Sequence, residues 1–161
     1  MSHVYAKITG KEQKEFKGAC TRKGREGWIE VDVQMESDFS VDPNSGKPKG
    51  SLNRGPFVFT CEEDTHSPNL VQAHLRQEAL TEVVIEKCRR AEDGKTEEVV
   101  SSWKLEGGYI HNYKTFPSKS DTDRREDPRH MEEFSISFRK VTFEHKKAKN
   151  STTHDWDAPN A

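Results

Sequence analysis

Trp28-Ile29-Glu30-Val31-Asp32-Val33-Gln34-Met35 alternates apolar and polar side chains from Ile29 to its end. In an extended chain successive side chains point to opposite faces, so Ile29, Val31, Val33 and Met35 share one side while Glu30, Asp32 and Gln34 share the other. That is a strand with one buried and one wet face. The next stretch of chain has no such pattern. Residues Glu36–Pro56 run through Ser37-Asp38-Phe39-Ser40-Val41-Asp42-Pro43-Asn44-Ser45-Gly46-Lys47-Pro48-Lys49-Gly50-Ser51, dense in the residues that make turns. Phe57-Val58-Phe59-Thr60-Cys61 then resumes a strand. The expectation is a long polar loop, 36–56, set between two strands, of a length that compact domains keep mostly for function.

Outward from this point the same two-residue period recurs. Val4, Ala6 and Ile8 share a face before Gly10; Val99, Ser101, Trp103 and Leu105 share another. Strands are predicted over Thr81–Arg90, Thr96–Glu106, Gly108–Thr115 and Glu133–His145, with Glu92-Asp93-Gly94-Lys95 as a hairpin turn. In the last of these Phe134, Ile136 and Phe138 have one parity and Val141 and Phe143 the other, which predicts a bulge near Arg139-Lys140. Lys11–Gly27 offers no apolar stripe and reads as a basic-rich loop. Ser67-Pro68 is a helix start, cap then proline, with Leu70, Val71, His74, Leu75 and Glu78 on one side. The fold class is mainly β: a small antiparallel barrel or sandwich with one short helix and one long extended loop.

The composition narrows what such a fold does. The chain has 161 residues, enough for one domain, 1–161, with a tail over 146–161. Hydrophobic residues are 30% and charged residues 34%, with a mean hydropathy of −1.02, so the core is thin. A net charge of −2 gives no single-sign field to draw in nucleic acid or an anionic membrane, which leaves proteins as the expected partners. No apolar run reaches the roughly 20 residues of a membrane helix. The beginning, Met1-Ser2-His3-Val4-Tyr5, does not read as a cleaved signal peptide, so synthesis in the cytoplasm is expected.

Chemistry-bearing residues are present without a chemistry-bearing pattern. The seven histidines form no His-x-x-x-His pair and the three cysteines, Cys20, Cys61 and Cys88, no Cys-x-x-Cys pair, so neither metal nor cofactor is expected. No cysteine has a base beside it in sequence, and Cys61 and Cys88 read as small core hydrophobes. Glu62, Glu63 and Asp64 lack the order of a calcium loop. No catalytic residue is nominated, and the expectation is no enzyme. The cations Lys11, Lys14, Lys17, Arg22, Lys23 and Arg25 support the alternative of a small barrel binding nucleic acid through 11–25, but interspersed Glu12, Glu15 and Glu26 dilute them and no stacking platform accompanies them. Trp156, in Asp155-Trp156-Asp157-Ala158-Pro159, would be wasteful in solvent and is expected to dock on its own domain or a neighbour.

Three stretches in order, Val41–Pro48 leading to Pro56-Phe57-Val58-Phe59-Thr60, then Phe138–His145, then Asp155–Pro159, resemble the Hcp (haemolysin-coregulated) tube proteins of bacterial type VI secretion systems. The early segment Thr9-Gly10-Lys11-Glu12-Gln13 departs from that family's glycine-acid-hydroxyl signature. The resemblance implies a β-barrel with a packed helix, homohexameric rings and a stacked hollow tube driven by a contractile sheath. It further implies a tip spike, effectors in the lumen, and export of the subunit itself through the apparatus. It also implies that Asp42, Pro43, Asn44, Ser45, Gly46, Lys47 and Pro48 lie in the loop that bridges stacked rings.

Overall fold

The computed structural model describes residues 2–118 and 129–157; Ala158 and Pro159 of the expected docking tail lie outside them. The described residues form ten strands and one helix, in order β1 (Ser2–Gly10), β2 (Lys14–Glu15), β3 (Ile29–Glu30), β4 (Asp32–Val41), β5 (Pro48–Glu62), α1 (Ser67–Leu75), β6 (Leu80–Arg90), β7 (Glu97–Pro117), β8 (His130–Ser137), β9 (Lys140–His145) and β10 (Asn150–Asp155). All pairings are antiparallel. The main path is β2-β1-β6-β7-β8-β5-β4, with β9 on β7, β10 on β9 and β3 on β1. The mainly β fold with a single short helix is as the sequence predicts.

The ladder does not close on itself, so the barrel is one in outline only. At the seam the segment 29–41 leaves one edge and joins the other: Tyr5 and Ala6 pair with Glu30 and Ile29, Val31 donates its N–H to the Val4 carbonyl at 3.0 Å, and from Asp32 the chain pairs with β5. Covalent continuity does there what strand pairing does elsewhere. The alternating residues that suggest the strand do face inward, with Ile29 and Val31 buried and Val33 and Met35 packed against the core. At the centre, Phe59 stacks on Phe134 at 5.0 Å, and Phe57 meets Trp103 and Phe138 edge-on at 5.3 and 5.4 Å.

Several expectations need correction. The two strands predicted either side of Gly107 are one strand, β7, whose inward parity switches from Ser101 and Leu105 to Ile110. Gly107 has φ of +67°, and a Cβ on Gly108 would lie 2.4 Å from the Ser137 carbonyl, so the pair bends the strand where side chains would obstruct it. The bulge predicted near Arg139-Lys140 is instead a break at Phe138-Arg139 between β8 and β9. Register runs from Glu106 opposite Lys140 to Tyr109 opposite Ser137, three steps on each strand, so no residue is inserted. It is a corner that both strands turn together. Helix α1 is capped at His66, not Ser67, with no side-chain cap bond. Its Leu70 and Ala73 face the core while Leu75 is 74% exposed, so the buried stripe is rotated from the one that the sequence suggests.

The basic segment also carries a core residue that alternation does not reveal. Phe16 is fully buried and its N–H donates to the Ile8 carbonyl. Glu78, placed on the helix in the sequence pattern, lies beyond it and accepts the Glu12 and Gln13 N–H groups at 3.2 and 3.0 Å, pinning the turn after β1. Burial alone would raise its pKa, but the Gln13 and Glu12 hydrogen bonds outweigh that and hold it below the usual carboxylate value.

Candidate functional site

The segment 36–56 is not a loop. It is the far half of a β4–β5 hairpin, paired as Ser37–Arg54, Asp38–Asn53, Ser40–Lys49 and Val41–Pro48, with register shifts between Met35 and Ser37 and between Asp38 and Ser40. Only its tip turns. There Asp42 organises the backbone: its carboxylate accepts the N–H groups of Asn44 at 2.8 Å and Ser45 at 3.3 Å, its carbonyl accepts from Gly46 at 2.8 Å, and its N–H donates to the Lys47 carbonyl at 2.9 Å. Gly46 supplies the φ of +71° that the turn requires. Alternation does not reveal these strands because period two records burial of one face, and this hairpin buries neither.

That double exposure is the physical anomaly of the molecule. Every residue from Glu36 to Asn53 except Asp42 is exposed. An isolated two-stranded hairpin is marginal in water, yet this one also presents Phe39, Val41 and Leu52, exposed by 48, 51 and 39%. Three of the large apolar side chains that the described residues leave in solvent therefore sit on one projecting ribbon. Apolar groups concentrated this way mark a surface that docks on another protein.

At the hairpin root Arg54 forms a clasp. It donates to the carbonyls of Phe138 and of Arg139, the latter at 3.1 Å, and meets His154 Nδ1 at 2.8 Å. Its guanidinium lies 4.0 Å from the Phe138 ring and 4.4 Å from that of Trp156. Trp156 sits edge-on to His154 at 5.2 Å and donates its backbone N–H to the Arg139 carbonyl at 3.1 Å, while remaining 44% exposed. Arg139 in turn pairs with Asp157 at 3.1 Å. One arginine thus ties the projecting ribbon to the β8–β9 corner and to the segment after β10. Sequence inspection passes over Arg54 because its partners are carbonyls and rings far away in the chain.

The basic segment is occupied differently from the nucleic-acid alternative. Arg25 ion-pairs with Glu86 and lies 4.9 Å from the Trp28 ring; Arg22 pairs with Glu97 at 3.5 Å. The loop covers the outer face of β1, where Tyr5 is buried and donates to Glu97. Two of the six cations, Arg22 and Arg25, are thus already paired with carboxylates and would release few counterions from phosphates, and the nucleic-acid reading finds no support.

A second constellation is internal. Cys61 on β5 stands opposite Glu132 on β8, and His66 folds beneath both as the chain turns into α1. Cys61 Sγ is 3.5 Å from His66 Nε2 and 3.3 Å from Glu132 Oε1, Nε2 to Oε1 is 2.5 Å, and Tyr113 donates to Glu132 Oε2 at 2.7 Å. Cys61, His66 and Glu132 are 5, 2 and 0% exposed. Burial, reinforced by the Glu132 charge, pushes the Cys61 thiol far up. Burial would also raise Glu132, but hydrogen bonds from His66, Tyr113 and Cys61 overcome it and hold the carboxyl below its usual value. No local motif exposes this trio, since Glu132 is 66 residues from His66.

The family model described as type VI secretion system effector, Hcp, matches residues 5–145. The major exported protein of Pseudomonas aeruginosa is 29% identical over 97% of this chain and 96% of its own. A crystal structure of an Hcp protein superposes with a TM-score of 0.87 at 30% identity, covering 97% of this chain and 98% of the other. Hcp1 of Escherichia coli EAEC 042 gives a TM-score of 0.82 at 24% identity over 96% and 98% of the two chains, a likeness of fold.

Proposed function

The chain belongs to the Hcp family and is a structural subunit of the type VI secretion tube, and from that premise we propose that six copies close into a ring and that the β4–β5 hairpin docks each ring on the next. The observation that carries the docking role is the ribbon itself, wet on both faces and bearing Phe39, Val41 and Leu52. A ring needs one contact whose rotation closes, and a tube needs another that does not. The hairpin supplies a surface separate from the curved body for the second. Asp42, Pro43, Asn44, Ser45, Gly46, Lys47 and Pro48 form its leading edge, and the Arg54–Trp156 clasp sets the angle at which it leaves the body.

Export of the subunit, a tip spike, a contractile sheath and effectors in the lumen complete the reading as partners of such a tube, with synthesis in the cytoplasm. The role is mechanical rather than catalytic. Size-exclusion chromatography with light scattering tests the ring: a six-subunit mass supports it, and a monomer at high concentration overturns it.

A further inference from the structure

Cys61, His66 and Glu132 aim three donor atoms at one point. They resemble a nucleophile, a base and an orienting acid, but the connectivity is wrong for that. In such a triad the two imidazole nitrogens serve different partners, one the nucleophile and one the carboxylate. Here Cys61 Sγ and Glu132 Oε1 both approach Nε2, at 3.5 and 2.5 Å, and Nδ1 has no partner among the described residues. Donors that converge on a single point suit a metal ion instead.

We infer that Cys61, His66 and Glu132 form a buried zinc-class site, binding a borderline-soft divalent cation through Sγ, Nε2 and Oε1, with a water from the adjoining cavity as the fourth ligand. Zinc bonds of about 2.3 Å to sulfur and about 2.0–2.1 Å to nitrogen and oxygen give tetrahedral edges of about 3.5 Å for sulfur to nitrogen or oxygen, and about 3.3 Å for nitrogen to oxygen. The two sulfur edges, 3.5 and 3.3 Å, already lie near those values. The third, 2.5 Å, is a hydrogen-bond length and has to open by about 0.8 Å as the cation replaces the shared proton. Tyr113, held on Oε2, leaves Oε1 as the coordinating oxygen, the outer support that such ligands need.

Access and charge agree with this. Cys61 and His66 line a cavity of about 420 Å³ that also touches Glu62 and Asp64, acids that favour a cation on its way in. On binding, the Cys61 thiol releases its proton to solvent, and the proton between Nε2 and Oε1 moves to Nδ1, which leaves the imidazole neutral. Thiolate, carboxylate and a divalent ion then sum to zero, so no net charge is left buried. The ion would join β5, β8 and the start of α1 at one point.

The test uses the full, untagged chain, freed of metal by chelation and titrated with cobalt(II). The expected result is one cobalt per chain, a thiolate-to-cobalt charge-transfer band, the intense visible bands of four-coordinate cobalt, bleaching of both by zinc, and a higher melting temperature with either ion. Cys61→Ser abolishes the charge-transfer band, and Glu132→Gln weakens binding at least tenfold. Should those variants fold poorly, X-ray absorption on the zinc-loaded wild-type chain decides, with one sulfur neighbour at about 2.3 Å expected. A cobalt complex without the thiolate band, a band that persists in Cys61→Ser, or a zinc shell without sulfur overturns the site. None of these outcomes bears on whether the chain forms rings.

Discussion

Arg54 shows how one side chain can govern geometry far from its own strand. It joins two carbonyls, a histidine and two aromatic faces, and hydrogen bonds from a charged donor contribute more than neutral ones. Replacing it with Ala is expected to destabilise the folded chain by about 2 kcal/mol in denaturant melts. Arg54→Lys should recover little, because an ammonium cannot span that fork or stack as a plane. Trp156→Ala removes only a half-exposed stacking partner and should cost about 0.5–1 kcal/mol. Glu132 belongs to the same scale. Its folded-state pKa is depressed, so its contribution is complete above the ordinary carboxylate value near about 4.3 and is lost as pH falls through the lower folded value. Melting temperature of the metal-free chain should therefore drop on acidification below that range, and Glu132→Gln should flatten part of the drop. A drop of unchanged size in the variant would assign it to other carboxylates, Glu78 first.

Among the elements, those with one buried face are legible from sequence and those with two wet faces are not. Ile29, Val31, Val33 and Met35 betray β3 and β4 because the core selects their alternation. Glu36–Asn53 is strand for most of its length and reads as loop, since nothing buried imposes a period and Gly50, Pro48 and Asn53 suggest turns. The corner at Phe138-Arg139 can be sensed as a parity change, but its cause, the matching bend at Gly107-Gly108, requires knowing that β7 lies alongside. The hairpin tip 42–48 is proposed for assembly from resemblance to a family, whereas Arg54 and the Cys61–His66–Glu132 trio arise from long-range pairing that no local spacing records. Gly107→Val tests the corner. A β-branched residue at φ +67° facing Arg139 is strained, and an unfolding free energy lower by about 1–3 kcal/mol is expected from chemical denaturation. The hairpin, by contrast, should separate folding from assembly. Phe39→Ser with Leu52→Ser removes exposed apolar surface and should move subunit stability by no more than about 0.5 kcal/mol, while sedimentation shows tubes shortened to single rings.

At the scale of the whole molecule, a thin core and a broad polar surface are consistent with a subunit that relies on neighbours for part of its order. The body is a curved antiparallel sheet closed at one seam by chain continuity, and from it projects a ribbon that no part of the described fold covers. The clasp around Arg54 fixes where that ribbon points. On the proposed reading the neighbour is a second copy of the chain, and the exposed Phe39, Val41 and Leu52 supply the contact. Electron cryomicroscopy of the assembled protein tests this most directly. The account predicts stacked six-membered rings in which each β4–β5 hairpin lies ordered against a subunit of the adjacent ring, with Phe39 and Leu52 buried at the contact. Stacked rings whose hairpins extend into solvent would contradict it.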